Sequence, residues 1–249
     1  MRALRNLRSE AGFTLVEMSI VLVIIGLIVG GILKGQEIVN DGKIKIQVAQ
    51  IDALKSATGT FYDKFAFFPG DFKAGGVLLS GTTIDGDENG IVNATGSTAG
   101  LADDAANGNE MDFALEQMQL ANLITGVLPN GTSTTEFYYQ GKLNNSILYY
   151  GDIVWPTGSA SVKSVRIQAA ATKDIAPTPA VRTSDALSID TKYDDGLPLN
   201  GTIFASAASA TANCCSGGSC ADAATSTSVT YNNTGSQNAA NCVLIWQIQ

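Results

Sequence analysis

Residues 12–33 read GFTLVEMSIVLVIIGLIVGGIL, and this stretch decides how the N-terminal part of the chain folds. The 21 residues from Phe13 to Leu33 contain a single charged side chain, Glu17. As an α-helix they would measure about 31 Å at 1.5 Å per residue, which matches the hydrocarbon thickness of a bilayer. The sequence therefore predicts a membrane-spanning helix close to the start of the chain.

Charge is distributed unevenly over the 249 residues. Residues 1–12 carry three arginines and one glutamate, residues 13–64 are neutral, and residues 65–249 have a net charge of −10. By the positive-inside rule the basic start stays in the cytoplasm and the acidic remainder lies across the membrane. An acidic chain without clustered lysine and arginine is not expected to bind nucleic acid. The absence of histidine excludes histidine-based catalytic triads and metal sites.

Glu17 is the unexpected residue of the apolar stretch. A carboxylate inside a membrane helix costs about 2.5–3.5 kcal/mol on insertion scales, and such residues usually have a function. The alternative is a glutamate at the membrane interface, stabilised by the positive end of the helix dipole.

The segment Gly12–Glu17 resembles the class III signal of type IV prepilins and type II secretion pseudopilins, because it follows a short basic leader and precedes an apolar run. The resemblance implies that residues 1–12 are a cleaved leader peptide. It implies that prepilin peptidase cuts between Gly12 and Phe13 and N-methylates Phe13. It also implies that Glu17 pairs with the N-terminal amine of a neighbouring subunit, which agrees with the need of a buried charge for a partner.

Helical periodicity continues beyond the membrane segment. No proline interrupts residues 13–65, and apolar residues recur at spacings of three and four, at Ile44, Val48, Ile51, Leu54, Phe61 and Phe65. The pattern predicts one long helix, with residues 13–35 in a membrane or filament core and residues 36–68 as an amphipathic half. The Pro-Gly turn in FFPGD, residues 67–71, ends it.

Glycines recur within the apolar half at intervals of four residues. Gly26 and Gly30 form one GxxxG pattern, and Gly31 and Gly35 form another. Such patterns allow close helix packing in lipid, which makes Gly26 and Gly30 candidate assembly positions. The alternative is the ordinary tolerance of membrane helices for glycine.

Residues 69–249 are predicted to form a globular head. Runs typical of antiparallel strands occupy residues 136–141, 146–154, 162–169 and 242–249, and short helices are predicted at 109–124 and 179–189. The predicted fold class is α+β and pilin-like, with the long N-terminal helix packed on an antiparallel β-sheet head that carries extra loops and short helices.

Two acidic segments of the head are candidate cation sites. Residues 85–90 read DGDENG, the first half of a calcium loop, and the candidate ligands are Asp85, Asp87, Asn89 and Ile91. Position twelve is Gly96 rather than glutamate, so a further ligand from Asp103, Asp104 or Glu110 would be needed; the alternative is a solvated turn. Asp194 and Asp195 also allow cation binding, but the sequence favours a plain turn there.

The four cysteines, Cys214, Cys215, Cys220 and Cys242, all lie in the last part of the chain. In an exported domain an even number of cysteines indicates disulfides, here within a disulfide region 214–242. Adjacent cysteines pair poorly with each other. The favoured pairing joins Cys214 to Cys242 and Cys215 to Cys220, and the swapped pairing stays open.

These features favour a structural subunit of a type IV pilus-like filament over an enzyme, since no catalytic motif is present. The alternatives are a minor pilin or pseudopilin of a type II secretion system, or a binding subunit at a filament tip. The resemblance implies three partners: prepilin peptidase, identical or related subunits, and an inner-membrane assembly platform. It also implies a single-pass inner-membrane precursor with a periplasmic head, which later enters the filament.

Overall fold

The computed structural model describes residues 12–73, 86–92, 110–129, 137–144, 146–154, 161–169, 179–206, 214–216, 220, 229–232 and 240–248. The chain divides into two units between Lys43 and Ile44. Helix α1, Leu15–Phe65, is a single α-helix of 51 residues that contributes to both units. The prediction of one uninterrupted N-terminal helix is therefore confirmed.

Within the described residues, the unit that begins at Ile44 contains a seven-stranded antiparallel sheet. The strands are β1 (Val127–Pro129), β2 (Phe137–Gln140), β3 (Ser146–Val154), β4 (Ser161–Ala169), β5 (Val181–Arg182), β6 (Ile203–Ser206) and β7 (Ala240–Gln247). The strand order is β1-β2-β3-β4-β7-β5, and β6 also pairs with β7. The α+β pilin-like fold class is thus confirmed.

The second half of α1 contributes one face to the hydrophobic core of this unit. Ile51, Leu54 and Phe61 are fully buried, at the spacing that the sequence periodicity predicts. They belong to the same core as Leu148 of β3 and Leu244 of β7. Burying a large apolar side chain of this kind contributes about 1.5–3 kcal/mol, so this face stabilises the head.

Two glutamines of α1 fix the helix against the segment between β2 and β3. The Gln47 side-chain carbonyl accepts hydrogen bonds from the backbone N–H groups of Lys142 at 2.6 Å and Leu143 at 3.4 Å. The Gln50 amide donates to the backbone carbonyl of Gln140 at 2.8 Å. Both glutamines are buried, and these contacts satisfy polar groups that would otherwise be costly to bury.

The first of the two short helices ends earlier than the sequence predicts. Helix α2 runs Glu110–Leu120 rather than to residue 124. Asn122 has a φ of +59°, and its N–H donates to the Gln119 carbonyl while the Leu123 N–H donates to that of Met118. These two bonds form a Schellman motif, which ends a helix with a left-handed residue.

The second short helix begins later than the sequence predicts. Helix α3 runs Thr183–Tyr193, whereas the prediction placed it at 179–189. Val181 pairs with Cys242 as strand β5, and the Ala180 N–H donates to the Cys242 carbonyl at 3.1 Å. The strand pairing occupies the residues after Pro179, so the proline does not start the helix.

The predicted strand runs are confirmed as β2, β3, β4 and β7, except that β2 ends before Gly141, β7 ends before Ile248, and β4 and β7 begin one and two residues earlier than predicted. Strands β1, β5 and β6 were not predicted. β1 and β5 have three and two residues, too few to show alternation, and all four residues of β6 are buried, so β6 does not alternate.

Candidate functional site

A reciprocal pair of hydrogen bonds fixes the start of α1. The Thr14 hydroxyl oxygen accepts from the Glu17 N–H at 3.2 Å, and Glu17 Oε2 accepts from the Thr14 N–H at 2.8 Å. The Thr14 hydroxyl also donates to Glu17 Oε2 at 2.8 Å. This is a capping box, in which a threonine at the N-cap and a glutamate three residues later satisfy each other's backbone donors. Glu17 therefore holds the helix start as well as carrying the charge noted above.

The residues of α1 up to Lys43 expose their apolar side chains. Phe13 is 83% and Leu15 91% exposed, and large apolar residues stay exposed as far as Val39. By length and composition α1 is able to cross a membrane, and its most apolar part is not buried in the structure. A contiguous apolar surface of this size marks a contact with lipid or with other protein.

The glycines of this segment are not required by packing within the described chain. A Cβ atom added to Gly26, Gly30, Gly31 or Gly35 would meet no described atom within 4 Å. Each glycine in a helix interior lowers helix stability by about 1 kcal/mol relative to alanine. The open space at these positions is compatible with close approach of another helix.

A second candidate site lies in the head, where three acidic residues converge. Asp71 follows the end of α1, Asp87 lies in the 86–92 segment, and Glu110 begins α2. Each offers a carboxylate oxygen within 4.8 Å of the others. The Asp87 N–H also donates to Glu110 Oε1 at 2.8 Å, so the two segments are held together directly.

The backbone around Asp71 keeps the cluster in place. The Asp71 carbonyl accepts from the Glu88 N–H at 3.1 Å, and Asp71 Oδ2 accepts from the Gly90 N–H at 3.1 Å. Gly86 packs so tightly that an added Cβ would collide with the backbone of Asp71, which explains glycine there. Burial raises the pKa of Asp71, and the Asp87 charge raises it further, against hydrogen bonds that lower it.

Only part of the predicted calcium loop falls within the described residues. Asp87 belongs to the acidic cluster and joins Glu110, one of the residues named as a further ligand. Asn89 Oδ1 accepts from the Ile91 N–H at 2.6 Å, an Asx turn of the local backbone. Asp85, Asp103 and Asp104 lie outside the described residues. Asp71 was not among the predicted ligands, because its sequence context indicated only a turn.

The segment after α3 is organised by three aspartates acting on backbone groups. Asp194 Oδ2 accepts from the N–H groups of Thr202 and Ile203, at 2.5 and 2.7 Å. Asp195 Oδ1 accepts from Leu197, and Asp190 Oδ1 accepts from Gly196. These carboxylates therefore hold a turn, which is the interpretation that the sequence favours for Asp194 and Asp195.

Asp190 is fully buried and gives this loop a pH dependence. Desolvation raises its pKa to about 6, although hydrogen bonds from the Tyr231 hydroxyl at 2.7 Å and the Gly196 N–H lower it. The nearby charges of Asp194 and Asp195 raise it further. An acid whose pKa is higher in the folded than in the unfolded state stabilises the fold below its unfolded pKa, and this stabilisation is lost as pH rises through the folded pKa.

We expect Asp190→Asn to flatten the pH profile of stability. Relative to this variant, the wild-type free energy of unfolding should fall by about 2 kcal/mol between pH 4 and pH 7, because the pKa of Asp190 rises from its ordinary value to about 6 on folding. Urea unfolding at a series of pH values measures the difference. Asp63→Asn, an exposed change on α1, is the control and should keep the wild-type profile. Parallel profiles for wild type and Asp190→Asn would contradict the assigned role.

Two disulfides close the C-terminal part of the head. They join Cys214 to Cys242 and Cys215 to Cys220, which is the pairing that the sequence favours. All four cysteines are buried in the hydrophobic core. The first bond ties the segment around residue 214 to β7, and the second closes a short loop beside it.

We expect the two disulfides to differ in their contribution to stability. The Cys214–Cys242 bond spans 28 residues and Cys215–Cys220 spans 5, so the chain-entropy model gives about 3.5 and about 2 kcal/mol. The double variant Cys214→Ala with Cys242→Ala should unfold at a lower urea concentration than its matched control, Cys215→Ala with Cys220→Ala. Both pairs remove buried sulfur atoms, so loop length is the main difference. Equal midpoints would contradict this account.

Comparison with known proteins places the N-terminal segment in a family. Residues 7–33 match the family described as the prokaryotic N-terminal methylation motif. No curated protein and no solved structure matches the chain. The matched range contains the Gly12–Phe13 bond, the capping box with Glu17, and most of the exposed apolar run. Residues 7–33 are therefore a prokaryotic N-terminal methylation motif, the class III signal of type IV pilins and pseudopilins.

Proposed function

We propose that the chain is a structural, non-catalytic subunit of a type IV pilus-like filament. Prepilin peptidase cleaves it between Gly12 and Phe13 and N-methylates the new amine of Phe13. The observation that carries the proposal is the combination of a methylation motif with a helix whose apolar residues are exposed as far as Val39. A surface of this kind requires either lipid or neighbouring helices.

The proposal gives this apolar surface two successive environments. Before assembly, lipid covers it, with the basic leader in the cytoplasm and the acidic head in the periplasm. After assembly, the helices of neighbouring subunits cover it. Gly26 and Gly30 permit close helix approach, because no described atom fills the space beside them. The apolar stretch Phe13–Leu33 is followed by Lys34, which forms an exposed ion pair with Glu37 that is suited to the membrane boundary.

Glu17 has a specific task in this proposal. Cleavage creates a positively charged amine at Phe13, next to the helix N-terminus, where the helix dipole disfavours a cation. The Glu17 carboxylate already faces this end of the helix through its contacts with Thr14. In the low dielectric of a filament core, a carboxylate opposite an amine of a neighbouring subunit would neutralise both charges.

Intact-mass spectrometry of the chain from sheared-filament and membrane fractions tests the proposal. We expect a mass that lacks residues 1–12, carries one added methyl group and shows the loss of four hydrogens for the two disulfides. Recovery in the sheared fraction supports a filament subunit. Processed chain confined to membranes would instead favour a minor subunit or a secretion pseudopilin. A full-length mass in cells with active prepilin peptidase would contradict the proposal.

A further inference from the structure

We propose that Asp71, Asp87 and Glu110 bind one Ca²⁺ ion in the head. Calcium binds oxygen ligands at 2.3–2.6 Å, so two ligands of one ion are separated by at most about 5 Å. The three carboxyl groups each present an oxygen within 4.8 Å of the others, which meets this requirement. They come from three separate segments, so their convergence is a property of the fold and not of one loop.

Asp71 provides the independent observation. Asp71 is 1% exposed, and its Oδ1 atom has no hydrogen-bond partner among the described residues. A buried carboxylate oxygen without a donor is costly, because it has lost its water and gained nothing in exchange. Bound Ca²⁺ would supply the missing partner and offset the loss of hydration.

The local charge balance also favours a cation. Lys163 is the described basic residue whose charge acts on Asp71. Its ammonium group is already bound by Asp152 Oδ2 at 2.7 Å and by the Gly90 carbonyl at 2.8 Å, and it lies 4.3 Å from the centroid of the Phe68 ring. One lysine held by Asp152 does not neutralise three further carboxylates. A divalent ion among them does so to a large extent.

The donor atoms favour calcium over other metals. All three side chains are oxygen donors, the chain has no histidine, and all four cysteines are in disulfides. Magnesium requires a near-octahedral arrangement at shorter distances and usually keeps several waters. Calcium accepts irregular sets of carboxylates and water, and the exposed position of Asp87 leaves room for water ligands. The ion would join the end of α1, the 86–92 segment and the start of α2.

Calorimetric titration of the detergent-solubilised full chain with CaCl₂, after removal of metal with EGTA, tests the proposal. We expect one Ca²⁺ per chain and a higher Tm in CaCl₂ than in EGTA, with a much smaller effect of MgCl₂. Asp71→Asn and Asp87→Asn should each raise the Kd for Ca²⁺ at least tenfold. Asp87 is exposed, so its variant is expected to fold even where a change at Asp71 disturbs the turn.

Glu88→Gln is the matched control. Glu88 is an exposed acid in the same segment but is not a member of the cluster, and its variant should bind Ca²⁺ within twofold of the wild type. Three outcomes would overturn the proposal: no Ca²⁺ binding by the wild type, wild-type affinity in Asp87→Asn, or equal weakening in Glu88→Gln. None of them bears on the filament role, which depends on the N-terminal segment.

Discussion

Replacing Gly12 by leucine is expected to abolish processing and to leave the full-length chain in the membrane. On the proposed function, prepilin peptidase cuts directly after this residue, where a large side chain would prevent the close approach of the enzyme to the backbone. Residues 12–14 precede the helix, so the bond to be cut lies outside the hydrogen-bonded turns of α1. Intact-mass spectrometry of membrane fractions would show the uncleaved chain as the main species.

The structure indicates that the Gly12→Leu variant tests recognition by prepilin peptidase and not the stability of the fold. A Cβ atom at Gly12 would meet no described atom within 4 Å, so leucine should not disturb the fold of the chain. Gly12→Ala is the graded control, because it adds one methyl group and should be cleaved in part. The urea midpoint of the head should be the same in both variants. Normal cleavage of Gly12→Leu would remove the prepilin interpretation.

The N-terminal helix could be predicted from sequence because its signals are local. Apolar content, the lack of proline and the three-and-four spacing all act within a few turns of helix, and α1 follows them from Leu15 to Phe65. The capping box was not predicted, although Thr14 and Glu17 stand at the spacing that defines one.

The head was predictable mainly where a strand carries its own sequence signal. β3 and β4 pair with each other over nine residues; β3 is rich in β-branched and aromatic residues, and β4 alternates between polar and apolar residues from Ser164 to Ala169. β5 has two residues and exists because Val181 meets Cys242, about 60 positions later. Such a strand depends on a distant partner and not on its own sequence, so the start of α3 was misplaced with it.

The acidic cluster, too, could be predicted from the sequence only in part. Glu110 was among the residues considered as a further ligand, and it does meet Asp87. Asp71 was missed because it stands in FFPGD, a segment with a sufficient explanation as a helix-ending turn. Its approach to the cluster depends on backbone bonds such as Gly86 N–H to the Phe72 carbonyl, which join residues 14 positions apart without a sequence signal.

Replacing Glu17 by glutamine is expected to reduce incorporation into filaments more than tenfold, while cleavage and methylation continue. Glutamine at this position retains the capping box, because its side-chain oxygen still accepts from the Thr14 N–H. In the proposed filament, however, it removes the negative charge and leaves the amine of a neighbouring subunit buried without a partner. Breaking a buried ion pair in this way costs about 3–5 kcal/mol. The ratio of processed chain in sheared filaments to that in membranes measures the effect.

Two further variants separate the charge of Glu17 from its capping role. Glu17→Ala removes both, and should impair assembly about as much as Glu17→Gln if the charge is what matters. Thr14→Val removes the hydroxyl of the capping box and keeps the carboxylate, at a cost of about 1 kcal/mol to the helix start. It should therefore assemble nearly as well as the wild type. Efficient assembly of Glu17→Gln with failure of Thr14→Val would instead assign Glu17 to helix capping, and the register of the filament would then have to come from the packing of the apolar helices alone.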